Sequence, residues 1–298
     1  MFVSAVEKAH QFTRPIHFIS RAYKDTQVLA GTGTLFFVNE LGCAVTCKHV
    51  AQVIIQSENI NAHYRSFVSE RLKIDNLPER NLLLERLEQK YGYRQGIATN
   101  QETRFLNCFE DLSEIEVTLH PHLDLAIIKF KNANKRQYGP PAIFTPEGYA
   151  VKQGKYLCRL GYPFPEFTNF RYNANIDDIE WTNEGQSQTP SFPIDGIVTR
   201  HLYNETLKIW GIEMSTPGLR GQSGGPLFDT NGVVYGMQSM TRHLHLGFDM
   251  IDYEVNLETH RAKISNHPFL HVGHCIHANI IKQFLKENNV AYYEANMD

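Results

Sequence analysis

Between residues 14 and 46 the chain is dense in β-branched and aromatic positions. IHFISRAY, TQVLAGTGTLFFV and CAVTC predict three strands, with Gly42 marking the hairpin between the last two. The pattern breaks between 56 and 112. In LPERNLLLERLEQKYG the leucines at 82, 83, 84 and 87 and then Tyr91 are spaced for one helix face. Pro78 suits its first turn and Gly92 its end. SEIEVTLH and DLAIIKF restore the strand pattern and predict a strand pair. The polar, glycine- and proline-rich KNANKRQYGPPAIFTPEGY reads as a connection, with a boundary near residue 145.

A second strand-rich unit opens at KYLCRLGY. From Pro163 to Pro193 the chain is too polar for a core and predicts a surface loop beside the functional site, with Trp181 as its anchor. DGIVTRH and TLKIWGIEM predict a strand pair, PLFD and GVVYGMQSM two more strands, and VGHCIHA a last one. The closing helix, Asn279 to Asn288, carries Ile280, Ile281, Phe284 and Leu285 on one face. The organisation is therefore 1–145 and 146–298, with a helical insertion at about 56–112. That insertion would gate a cleft, dock a partner or merely cover the first unit; Glu85, Arg86, Glu88 and Lys90 give it a solvated face.

Composition narrows the function classes. A chain of 298 residues accommodates one large domain or two small ones. With 29 basic against 32 acidic residues, nothing marks a nucleic-acid partner. The first thirty residues carry Glu7, Lys8, His10, Arg14 and His17 and lack the apolar core of a signal peptide. No run approaches the roughly 20 apolar residues that span a bilayer, so no membrane partner is expected. The five cysteines, Cys43, Cys47, Cys108, Cys158 and Cys275, are odd in number and irregular in spacing. They argue against a disulfide framework and for a reduced, cytoplasmic setting.

The candidate chemistry centres on Gly221 to Pro226, in TPGLRGQSGGPLFD. Glycines on both sides of a serine permit unusual backbone angles and close approach of another backbone. A nucleophile needs both, because its own amide and the one two residues earlier can then face a developing oxyanion. A glycine-rich hairpin turn would explain the stretch equally well if it stood alone. A base and an orienting carboxylate are available, however: His49 follows an apolar strand and precedes a short helix, and Asp124 opens an apolar strand. Glu110 and Asp111 are rivals to Asp124 in sequence, but neither precedes such a strand. His120 and His122 read as loop histidines.

The order His49, Asp124, Ser223 resembles the chymotrypsin-like arrangement. The chain resembles the trypsin-like serine peptidases, and its short motifs are most similar to the HtrA (Deg-type) branch. RLGYPFP (Arg159 to Pro165) resembles that branch's glycine-aromatic-proline turn, and DGIVTRH its next strand. NGVVYGMQS resembles the strand beside bound substrate, and VGHCIHANIIKQFL the last strand and closing helix. The matches run in order from about Gly31 to Leu285. The resemblance implies an all-β fold of two six-stranded antiparallel β-barrels of the chymotrypsin type, with a helical insertion in the first and a C-terminal helix. It implies Ser223 as nucleophile, His49 as general base, Asp124 as orienter, and the amides of Gly221 and Ser223 as the oxyanion hole. No cofactor is expected, nor an appended peptide-binding PDZ domain.

Departures from the family pattern carry information. Secreted relatives usually place a cysteine after the histidine; here Val50 stands there. Digestive-type relatives carry an aspartate before the serine that pairs with a freshly cut N-terminus; here it is Gln222, so that activation route is not expected. The resemblance places the primary pocket near Pro217 and Gly218 and the substrate-pairing strand at Ser239, Met240 and Thr241. Neither pocket residue is acidic, and Met240 favours a small or medium apolar side chain unless Asp249 reaches the wall.

Two metal sites were weighed. Asp177, Asp178 and Glu180 lack the alternating oxygen ligands of a calcium loop. His271, His274, Cys275 and His277 could supply zinc ligands, but His274 and Cys275 would point to opposite faces of a strand. His243, His245, His260 and His267 complete the histidine-rich final third, and no metal is expected. The expected function is a serine endopeptidase acting on a protein or peptide substrate. Two alternatives stay open: a latent protease switched on by a partner or effector, and a catalytically silent peptide binder.

Overall fold

The structure, a computed structural model, describes residues 1–256 and 261–296. It starts with an element that the alternation does not announce, helix α1 (Val3–Phe12). Ala5, Ala9 and Phe12 form its buried stripe, spaced by one helical turn. The backbone turns extended at Thr13 and continues directly into β1 (Thr13–Ala22).

Next come β2 (Val28–Phe37) and β3 (Cys43–Thr46), joined through Gly42 in the left-handed region at φ 80°. The expected short helix after the third strand is instead α2 (Lys48–Ile74), 27 residues long, with His49 in its first turn. Only Val50, Ala51, Tyr64 and Phe67 of it are buried, which explains why its sequence carries so faint a stripe. Helix α3 (Arg80–Tyr91) ends on Gly92 at φ 73°, as its glycine predicts. Its Leu87 joins Tyr23, Tyr64, Phe67 and Tyr93 in a cluster of their own, whereas Leu82 is exposed. The helical insertion therefore spans 48–91. Residues 98–111, expected within it, form β4 (Ala98–Phe105) and β5 (Phe109–Asp111).

β6 (Glu114–Leu119) and β7 (Ala126–Lys131) pair as a hairpin, and β8 (Asn134–Arg136) pairs with β5. The first sheet runs β4-β1-β2-β3-β7-β6. α2 packs along β4 and reaches β6, bridging the two edge strands of this curled sheet.

The second sheet is built from β9 (Ile143–Phe144), β10 (Tyr156–Gly161), β13 (Phe192–Tyr203), β14 (Ile209–Met214), β15 (Pro226–Phe228), β16 (Val234–His245), β19 (Phe269–His277) and β20 (Tyr293–Glu294). β15 pairs with both β10 and β16, so six strands close in the ring β15-β10-β13-β14-β19-β16. The short β9 and β20 add in parallel beyond β16. Helix α4 (Ala278–Glu287) buries Ile281, Phe284 and Leu285 against β16 and β19. Two barrels of the chymotrypsin type result, with α1 lying across β10 and β15 of the second.

The polar stretch from 163 to 193 departs from the expected surface loop. It contains the hairpin β11 (Phe170–Asn173) and β12 (Asp178–Trp181), docked on the first barrel. Phe167 and Ile179 bury against Ile19, with Trp181 packed beside them. Asp177 accepts from the Tyr64 and Tyr172 hydroxyls and forms ion pairs with Arg21 and Arg71 at 3.0 and 2.9 Å. Its oxygens are thus committed to protein donors. A second extension, β17 (Met250–Asn256) with β18 (Arg261–Asn266), projects from the strand pair β16/β19.

The largest core crosses between the sheets: Phe36, Phe37 and Val45 of the first meet Phe144, Leu160, Phe228 and Ile276 of the second. The connecting stretch takes part, since Tyr138 stacks on Phe37 with ring centroids 3.6 Å apart. Phe37 also contacts Phe109 and Phe130. Phe37→Ala should cost about 3–5 kcal/mol of stability, read by equilibrium chemical denaturation. A loss below 1 kcal/mol would mean that this aromatic junction does not hold the barrels together.

Candidate active site

The serine loop is held by a strand from the other barrel. Thr34 of β2 donates its amide to the Ser223 carbonyl at 3.0 Å and its hydroxyl to the Gly221 carbonyl at 2.7 Å. Thr34 also accepts the Tyr162 amide on its hydroxyl, and its carbonyl accepts from the Thr46 hydroxyl. A side chain at Gly224, whose φ is 90°, would collide with the Thr34 carbonyl, and one at Gly225 with the Leu160 carbonyl. The two glycines after the serine are therefore required by close backbone approach.

His49 and Asp124 meet where α2 starts and β7 is about to begin. Asp124 Oδ1 accepts the His49 backbone amide at 3.0 Å, and His49 Nδ1 lies 2.9 Å from Asp124 Oδ2. An ionised carboxylate only accepts, so Nδ1 carries a proton, and in the neutral ring Nε2 holds the lone pair. The side chain of Asp124 is 20 % exposed and that of His49 53 %. The Ser239 hydroxyl donates to Asp124 Oδ2 at 2.6 Å. Burial would raise the Asp124 pKa, but hydrogen bonds from His49 and Ser239 outweigh it and lower it to about 2.

The surrounding loop is built to hold that carboxylate. His120 Nδ1 accepts the amides of His122 and Leu123, and the Lys48 ammonium donates to the carbonyls of His120 and Pro121. Cys47, fully buried beneath the pair, donates its thiol to the Gln238 carbonyl. Burial pushes that thiol well above its ordinary pKa. Of the rival carboxylates, Glu110 pairs with Lys135 and Asp111 lies in β5, both away from His49.

Ser223 and His49 line one cavity of about 320 Å³, together with Gly221 and Arg220. The Ser223 hydroxyl donates to the Ser239 carbonyl at 3.3 Å, and among the described residues it makes no hydrogen bond to His49. Gly221 adopts φ 97°, and among the described residues its amide and that of Ser223 donate to no protein group. Both are free to meet an oxyanion. Gln222, which stands where digestive-type relatives carry an aspartate, is fully buried and fixes the loop with its side chain. Its Oε1 accepts the Leu219 amide at 3.0 Å, and its Nε2 donates to the Phe192 carbonyl at 2.9 Å.

On the far side of Ser223, Pro217, Gly218, Ser239, Met240 and Thr241 line a second cavity of about 440 Å³. Ser239 sits at an irregularity in the β16/β19 ladder, which turns its side chain toward Asp124. It thus serves the carboxylate as well as the cleft. β15 leaves β16 at Met237, and among the described residues no strand pairs with the Ser239–Thr241 edge on that side.

Asp249 does not line this pocket; its Oδ1 accepts from His245 and His267 at the base of the β17/β18 arm. The four residues weighed for zinc do not converge. His271 pairs with His243, His274 with Glu213, and His277 caps α4. Cys275 is buried and close to Gln238. His260 lies outside the described residues. Among the described residues, metal-capable atoms gather at Cys47, His49 and Asp124, and at His245, Asp249 and His267.

The profile of the trypsin-like peptidase domain matches residues 31–237. No curated protein is similar enough to match. Among solved structures, the Rv3671c protease from M. tuberculosis in its active form is similar at 14 % identity and a TM-score of 0.48, covering 97 % of this chain and 86 % of that one.

Asp124 ionises at about 2 instead of 3.8. The stabilisation is therefore complete above about pH 5 and lost as pH falls through the folded value. Between about pH 5 and pH 2 the native chain should lose about 2 kcal/mol more than Asp124→Asn. Urea unfolding at stepped pH checks this; parallel pH dependences would show that the carboxylate is not held as described.

Proposed function

The chain belongs to the trypsin-like peptidase domain family, and from that premise we propose a serine endopeptidase that forms an acyl-enzyme on Ser223. One observation carries the reading. A carboxylate joined to Nδ1 of His49 leaves Nε2 as the basic nitrogen, facing the cavity that Ser223 also lines. His49 takes the hydroxyl proton as Ser223 attacks the scissile carbonyl. It then returns that proton to the leaving amine, and repeats the cycle with water. Asp124 fixes the ring's tautomer and supports the imidazolium. The amides of Gly221 and Ser223 receive the oxyanion, each donor of this kind contributing on the order of 10²–10³ in turnover. The substrate backbone adds as a strand along Ser239–Thr241.

No cofactor enters these steps. Five free, buried cysteines favour a reducing compartment, and the described residues contain no helix long and apolar enough to cross a membrane.

One observation favours a second reading, a protease that awaits a partner or effector. The Ser223 hydroxyl is engaged with the Ser239 carbonyl, so it must rotate toward His49 before attack. In the first reading the same rotation accompanies substrate binding, since catalytic hydrogen bonds are often long until then.

A fluorophosphonate probe read by intact mass separates the readings. The native chain should label at one site and Ser223→Ala not at all. His49→Ala and Asp124→Asn should each slow labelling by on the order of 10³–10⁴. Labelling only after an activator is added would select the latent form. No labelling under any condition would leave the silent peptide binder.

A further inference from the structure

The pocket beside Ser223 has an unusual charge behind its wall. Arg159, on β10, is 0 % exposed. Its Nη1 donates to Gln238 Oε1 at 2.6 Å, and its Nη2 donates to the Thr216 carbonyl, the Thr216 hydroxyl and the Pro217 carbonyl. Among the described residues these neutral groups are its hydrogen-bond partners and no ion pair is recorded for it, and its Nε has no partner. Asp195 contributes some field but spends its carboxylate on the Tyr156 hydroxyl. A guanidinium stays charged in a protein, and a buried charge met only by neutral dipoles is costly. An anion arriving at the pocket would offset that cost.

Gln238 transmits the charge to the cavity. Its oxygen is taken by Arg159, which fixes the amide so that Nε2 is the outward end. One Nε2 hydrogen goes to the Met240 carbonyl at 2.9 Å, and the second has no acceptor among the described residues. Opposite stands Gly218, where any side chain would collide with that amide. No aspartate or glutamate lines the cavity, while His243, His271 and Arg220 do. Met240, 43 % exposed, offers apolar contact to a methylene stem.

We propose that this pocket selects a carboxylate side chain, glutamate or aspartate, on the residue whose carbonyl Ser223 attacks. Gln238 is the specificity-determining contact and Arg159 the buried counter-charge behind it. This replaces the apolar preference that Met240 and a neutral pocket base imply, and it rests on the Ser223 reading above. Arg159 stands in RLGYPFP, within a turn motif, where nothing in the sequence marks it as part of a pocket.

The test compares kcat/KM of the full chain on matched fluorogenic peptides that differ only before the scissile bond, carrying Glu, Asp, Gln, Leu or Lys. Glu or Asp should exceed Gln and Leu by at least about 10-fold, the step expected when a buried polar site loses its partner charge. Gln is the decisive control, being neutral and of the same shape as Glu. Equal rates on Glu and Gln, or a preference for Leu or Lys, would overturn the proposal and leave the protease standing. Absence of both cleavage and fluorophosphonate labelling would instead remove the Ser223 reading beneath it.

Arg159→Met risks the fold, so the second variant is Gln238→Glu, nearly isosteric and able to pair with Arg159. It should melt at or above the native temperature and lower the Glu-to-Gln ratio at least about 10-fold. An unchanged ratio in a folded Gln238→Glu protein would exclude Gln238 as the contact.

Discussion

Two backbones from different barrels must come within hydrogen-bonding distance at Ser223, and most of the sequence around it answers to that demand. Thr34 binds the carbonyls of both Gly221 and Ser223, so the loop takes its shape from a strand 187 residues away in the chain. Such approach leaves no room for side chains at Gly224 or Gly225. It also explains why the hydroxyls of Thr32, Thr34 and Thr46 all turn inward, onto carbonyls that would otherwise be buried unpaired. The amides of Gly221 and Ser223 have no protein acceptor among the described residues, while the loop's other polar groups are satisfied by Thr34, by Gln222 and by the Gln238 carbonyl.

That arrangement decides what could be read from the sequence. Glycine requirements and strand ends are local, so Ser223 in its glycine frame, His49 after CAVTC and Asp124 before LAIIKF were legible as types and spacing. The partners that make them work were not. Thr34 is one threonine in a strand full of them, and Ser239 looks like a residue of the substrate-pairing strand. Ser239 becomes a donor to Asp124 only because β16 is irregular there, 115 residues from the carboxylate.

The same limit applies to the architecture. The strand pairs and the closing helix follow from periodicity, whereas α1 and the first half of α2 present few buried positions and so little pattern. The stretch from 163 to 193 misleads for the opposite reason. Its polar side chains, Asp177 above all, are used as anchors onto Arg21, Tyr64 and Arg71, so polarity there marks attachment instead of exposure. No local rule distinguishes an aspartate in water from one that binds three donors of another barrel and a tyrosine of its own hairpin.

Three consecutive residues of β16 show how compactly the site is wired. The Gln238 carbonyl accepts the Gly224 amide and the Cys47 thiol, tying serine loop to histidine helix. The Gln238 side chain takes Arg159 on one end and the Met240 carbonyl on the other. Ser239 gives its hydroxyl to Asp124 and its carbonyl to the Ser223 hydroxyl. Met240 then lines the pocket. Ser223, Asp124 and the pocket wall are therefore joined in one connected hydrogen-bonded unit through β16. Under the carboxylate-pocket proposal, a substrate charge at Gln238 would bear on the residue next to the one that holds Asp124 and Ser223, with no longer path required.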